Sequence, residues 1–162
     1  MQDKLDTIVR EFMAIAQIPR PSHHEEKIAA HLIQWAADRG LRVQQDPLGD
    51  VIIDKPASPG YESAPRVILQ AHMDMVCVAA EGVTYDPLSD PIRVVNDGVT
   101  LTAQGTSLGA DDGIGVALCL WVLQDGDLKH GPLRVLITVN EEDGMDSAAI
   151  DPQYLQADYL IN

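Results

Sequence analysis

The chain has 162 residues, 46% of them apolar, and a formal net charge of −14. That length gives room for one domain with a core of its own. The charge excludes a nucleic-acid partner, because a phosphate backbone would be repelled rather than neutralised, and no run approaches the roughly 18 uninterrupted apolar residues of a membrane helix.

The opening MQDKLDTIVREF is amphipathic and carries acids, so it does not read as a secretory signal. Residues 3–17 set Leu5, Ile8, Val9, Phe12, Ile15 and Ala16 at helical spacing. Ile18-Pro19-Arg20-Pro21 stops that helix, since the prolines remove donors and push their predecessors out of the helical region. Ser22 with Glu25 three residues on has the form of a capping box and predicts a second helix from Ser22 to a stop at Gly40. LRVQQD and DVIIDK, joined by Pro-Leu-Gly, predict a hairpin, and residues 56–65 a surface loop.

RVILQAHMD reads as a buried, parallel-type strand. Residues 77–103 form a long excursion containing a hairpin that turns at Asn96-Asp97-Gly98. A helix over 112–124, the strand LRVLITVN, a short helix after Gly144 and the strand ADYLIN complete the chain. Strands and helices alternate after residue 66, which predicts an α/β domain with a mixed sheet flanked by helices. Cys77 and Cys119 lack a C-x-x-C partner and are expected to be reduced, buried thiols in a cytoplasmic protein.

Ligand-capable residues stand where apolar runs stop: His72-x-Asp74, Asp111, and Glu141-Glu142. In open α/β sheets ligands gather at the carboxyl ends of strands. His72 is expected to be a neutral imidazole ligand, with Asp74 accepting its other N–H and fixing the tautomer. Asp111, in a Gly-rich turn before a helix, would bridge two zinc-like ions, and Glu142 would bind one of them. Glu141 would remain the general base for a metal-activated water. Taken singly, each piece has a plainer reading. Asp111-Asp112-Gly is a good helix start, Glu141-Glu142-Asp143 a solvated turn, and a lone H-x-D carries little. The order of all three at strand ends favours the metal reading. His23-His24, His31 and His130 read as surface or structural, and Trp35 and Trp121 as core.

AHMDMV, GTSLGADDGIGVA and NEEDGMD resemble the co-catalytic zinc metallopeptidases, the family of the aminoacylases, carboxypeptidase G and succinyl-diaminopimelate desuccinylase. GTSLGADDGIG and PSHHE are most similar to its aminoacyl-histidine dipeptidase branch. The resemblance covers essentially the whole chain. It implies a zinc-peptidase-like catalytic domain with His72, Asp111 and Glu142 as metal ligands, Glu141 as base and Asp74 supporting His72. It further implies a cis Asp111-Asp112 peptide, two Zn2+ ions (Co2+ and Mn2+ also suit these donors), dipeptide substrates including Xaa-His, and a homodimeric whole protein. Asp143 stands where the family has a small or apolar residue, adding charge beside the base.

The resemblance also implies a further carboxylate, a C-terminal histidine ligand and a lid or dimerisation domain, none of which is present in residues 1–162. The chain is therefore expected to be the N-terminal part of a catalytic domain, incomplete at its C-terminus and inactive alone. N-acyl amino acid or tripeptide hydrolysis is an alternative within the family. A catalytically silent binding or assembly module is an alternative outside it.

Overall fold

The computed structural model describes residues 2–144 and 146–162. Helix α1 (Gln2–Ile15) ends ahead of the prolines, with Phe12 and Ile15 buried. Leu5 departs from the predicted stripe and is exposed. Glu11 is buried among apolar residues and is satisfied there, accepting from Trp35 Nε1 (3.1 Å) and Gln124 Nε2 (2.9 Å).

Helix α2 (Glu26–Ala37) starts four residues later than the capping box predicts. Neither Ser22 nor Glu25 caps it, since both side chains turn away to distant loops. Gly40, at φ +66°, follows its end as predicted, in the left-handed conformation glycine favours.

Strands β1 (Arg42–Gln45) and β2 (Val51–Lys55) form the expected antiparallel hairpin. The Asp46 carboxylate accepts the amides of Leu48, Gly49 and Asp50 and so fixes its turn. Strand β3 (Val67–His72) and strand β6 (Leu133–Thr138) run parallel, with His72 opposite Thr138. Between them lie a separate hairpin, β4 (Val94–Asn96) with β5 (Leu101–Ala103), and helix α3 (Ala110–Gln124). Two short 3-10 turns, Asp146–Ala149 and Pro152–Leu155, take the place of the short helix expected after Gly144; Met145 of the NEEDGMD motif and Met1 lie outside the described residues. Strand β7 (Tyr159–Ile161) closes the five-stranded order β1-β2-β6-β3-β7.

Alternation along β2 sends Val51 and Ile53 to one face and Ile52 to the other. The first face packs beneath α1, α2 and α3 and carries most of the core. The second holds a small cluster of Ile52, Ile68, Leu136 and Ile150. β7 is exposed along its whole length and forms one edge of the sheet. Trp35 is core, whereas Trp121 is only half-buried, with the Lys4 ammonium 5.4 Å from its ring. Cys119 is buried and free; Cys77 is also free but half-buried, because it leaves the core with the 77–103 excursion. No helix among the described residues is long and apolar enough to cross a membrane.

Candidate metal centre

β3 and β6 end side by side, so the residues that follow them enter the same space. His72 is the last residue of β3 and is 7% exposed; Asp74, two residues on, is wholly buried. Asp74 Oδ1 lies 3.3 Å from His72 Nδ1 and accepts the Glu141 amide at 3.1 Å. Its Oδ2 accepts the Ser22 hydroxyl (2.8 Å) and the Glu142 amide (3.2 Å). Burial alone would raise the Asp74 carboxyl. The contacts to His72, Ser22 and the two amides outweigh it and hold the group well below the usual carboxylate range.

The outer nitrogen of His72 faces solvent-exposed carboxylates. Nε2 is 3.0 Å from Asp111 Oδ1 and 3.7 Å from Glu141 Oε2. Asp111 and Glu141 are 85% and 57% exposed at their side chains. Burial pulls the His72 pKa down, but the bonds to Asp74 and Asp111 reverse it and lift it to about 9. In the ion-free site the carboxylates around His72 favour its protonated form, and a metal bound there would release that proton. The Glu142 carboxyl is raised, first by partial burial and then by Asp111. Negative charge is thus crowded here.

Among the described residues, His72, Asp111 and Glu142 each offer a donor atom within 4.8 Å of the other two. Zinc bonds of about 2.0–2.1 Å to nitrogen or oxygen put two donors on one tetrahedral ion roughly 3.3 Å apart, close to the His72–Asp111 separation of 3.0 Å. One imidazole backed by a buried carboxylate, facing two carboxylates, is a donor set that suits a divalent ion. Glu141 stands beside this group. His23-His24, His31 and His130 lie outside it; His23 Nε2 pairs with Asp143 at 2.9 Å, which turns that extra carboxylate toward His23.

Residues that sequence reasoning assigned no part here hold the site together. Arg20, 1% exposed, donates to the carbonyls of Met73 (2.9 Å), Asp74 (3.0 Å) and Gly109 (2.6 Å), tying the end of β3 to the turn before Asp111. Gly109 has φ +68°, and a Cβ there would lie 2.5 Å from Met75 Sδ and 2.6 Å from the Arg20 guanidinium, so the close approach needs glycine. The Asp111-Asp112 peptide is cis, as the resemblance implies. Asp112 accepts the His72 amide through Oδ2 (3.2 Å) and the Gly115 amide through Oδ1 (3.1 Å), so it braces the ligand turn against β3. Arg20 gave no signal beyond a helix stop between prolines. Ser22 and Glu25 did give one, in the PSHHE motif, but their three-residue spacing read as a local cap.

Comparison with known proteins follows the same line. No family profile matches the chain. It is 47% identical over 152 residues to the cytosol non-specific dipeptidase of Escherichia coli. The chain is a homologue of that dipeptidase. The crystal structure of aminoacylhistidine dipeptidase from Vibrio alginolyticus superposes with a TM-score of 0.91 at 45% identity, over 95% of this chain and 32% of that one. Aminopeptidase PepT from Bacillus cereus matches at 0.78 and 27% identity, over 96% of this chain and 42% of that one. The E. coli match covers 93% of this chain and 31% of the relative, so the chain spans about a third of the dipeptidases it matches.

Proposed function

We propose that this chain supplies the metal-binding half of a dipeptidase active site, acting on short peptides including Xaa-His dipeptides. The observation that carries the reading is the convergence of His72, Asp111 and Glu142 at the ends of β3 and β6, with His72 Nδ1 anchored on the buried Asp74, in a homologue of a dipeptidase. His72 and Glu142 would each hold one of two zinc ions, and Asp111, exposed between them, would touch both. Such ions polarise a peptide carbonyl and bring the pKa of water down towards about 7.

Glu141 lies outside the converging trio, exposed, with its amide pinned to Asp74 and its carboxylate turned towards His72 Nε2. That leaves it free to accept a proton from the attacking water and deliver it to the leaving amine, the part of a general base. Asp74 holds the His72 ring and, through the Glu141 and Glu142 amides, the relative orientation of base and ligand. The name of the E. coli relative supports the cytosol as the compartment. A homodimeric whole protein with a separate lid or dimerisation domain belongs to the same reading.

Among the described residues three donors converge, fewer than two catalytic ions require, since each takes about three protein ligands. The chain alone should bind zinc weakly and show little hydrolysis. Calorimetric titration with Zn2+ tests this. Two tight sites, accompanied by rapid cleavage of β-Ala-His or Gly-Gly by this chain, would overturn it. The activity itself is tested by exchanging the matching segment of the E. coli dipeptidase for this chain. The chimera should cleave dipeptides and lose at least a hundredfold with Glu141→Gln. A folded, zinc-loaded chimera that hydrolyses only N-acetyl amino acids or tripeptides would move the substrate class.

A further inference from the structure

The site hangs on a six-residue segment, 20–25, that contributes no metal donor. Arg20 fixes the backbone at Met73, Asp74 and Gly109, and its own carbonyl accepts the Met75 amide at 3.1 Å. Ser22 donates to Asp74 Oδ2 across 52 residues of sequence. Glu25, 7% exposed, accepts two amides through one oxygen, His23 N and Asn140 N, each at 3.1 Å. The His23 amide is shared with Asn140 Oδ1 at 2.8 Å. Glu25 precedes α2 yet gives that helix no side-chain cap, so its buried carboxylate serves the β6 turn, 115 residues away, and not its own helix. His23 (φ 67°) and Asn140 (φ 54°), the two residues it joins, are both non-glycine residues in the left-handed region, a conformation that persists where surrounding contacts over-determine it.

We infer that Ser22 and Glu25 are positioning residues of this site. Ser22 sets the Asp74 carboxylate, and Glu25 sets the turn that carries Glu141 and Glu142. Together they fix Glu142 relative to His72. Two independent bonds are needed because Asp74 holds the Glu141 and Glu142 amides only from the β3 side, while Glu25 holds the preceding Asn140 amide from the α2 side. With either bond gone, the turn loses one of its supports while others remain, such as the Val139 amide on Asp50, and the donor separation is less tightly defined. The inference rests on the metal reading of His72, Asp111 and Glu142.

The test uses the whole chain and the variants Glu25→Ala, Glu25→Gln, Ser22→Ala, Ser22→Thr and His72→Ala. In metal-free protein, hydrogen exchange at the Glu141 and Glu142 amides should quicken about tenfold in Glu25→Ala and Ser22→Ala, with β6 amides unchanged. Zinc affinity by calorimetry should fall by about 10- to 100-fold, the usual effect of losing an outer support. Glu25→Gln and Ser22→Thr keep an acceptor and a hydroxyl, and should restore both readouts to within about threefold. Parental exchange at the two amides, or uniform acceleration across the chain, would overturn the inference by reducing the pair to ordinary stabilising contacts. Zinc binding that is absent from the parent, or unaffected by His72→Ala, would instead remove the metal reading, and the exchange measurement would still decide whether the two residues hold the turn.

Discussion

The two sides of the site are built differently. On the inner side, His72 and Asp74 are buried, and Asp74 uses both oxygens on four partners drawn from three separate segments. On the outer side, Asp111 and Glu141 are largely exposed and meet His72 only through its one outward nitrogen. The fold makes the inner side by itself. The outer side is a set of like charges held near one another by turns, which the proposed metal ion would neutralise. The difference separates what folding determines from what a ligand completes.

The largest expected effect lies on the inner side. Asp74→Ala removes the acceptor for a hydroxyl, two amides and the His72 ring at a fully buried position. Breaking a buried charged pair of this kind costs about 3–5 kcal/mol, so the urea midpoint should drop steeply and zinc binding should vanish with it. A loss under about 1 kcal/mol would break the comparison, since the inner side would then not be a product of the fold.

Asp111→Asn probes the outer side and should show the opposite pattern. The side chain is 85% exposed, and an exposed contact to His72 adds little to stability. Urea unfolding should stay near that of the parent, while zinc affinity falls at least tenfold because one of three converging donors is weakened. A variant that unfolds as readily as Asp74→Ala would show that the outer side is structural too.

Much of this was legible in the sequence because it is written in short-range pattern. The apolar runs predicted β3 and β6 as strands, the first of a buried parallel type, and the polar residues at their ends singled out His72, Asp74, Glu141 and Glu142. The start of α2 was misread because Ser22 and Glu25 have the spacing of a local cap, and spacing cannot tell a partner three residues away from one 52 or 115 residues away. Arg20 was hidden for a similar reason: its three acceptors are backbone carbonyls, which have no sequence identity to read. The upward shift of the His72 pKa had no sequence signal either, since it depends on how closely Asp74 and Asp111 approach the ring.

The smallest effect expected is also a sharp one, and it uses Cys119 as a reporter from beneath the inner side. Cys119 is buried on the inward face of α3, and burial, with the Asp112 carboxylate nearby, pushes its thiol up to about 12. The thiolate is the reactive form, so at pH 8 a thiol with that pKa is about one part in ten thousand reactive, against about a quarter for a free cysteine. Labelling of Cys119 by a thiol reagent should therefore wait for the chain to open, and Cys77, half-buried, should react first. If the opening that exposes Cys119 leaves the outer carboxylates in place, saturating zinc should change the Cys119 rate by less than about twofold, because only openings that release the ion are slowed by its binding. A zinc effect of tenfold or more would mean that the ion also holds α3 and Asp112 against β3. The two sides would then be one cooperative unit, with the inner side as dependent on metal as the outer.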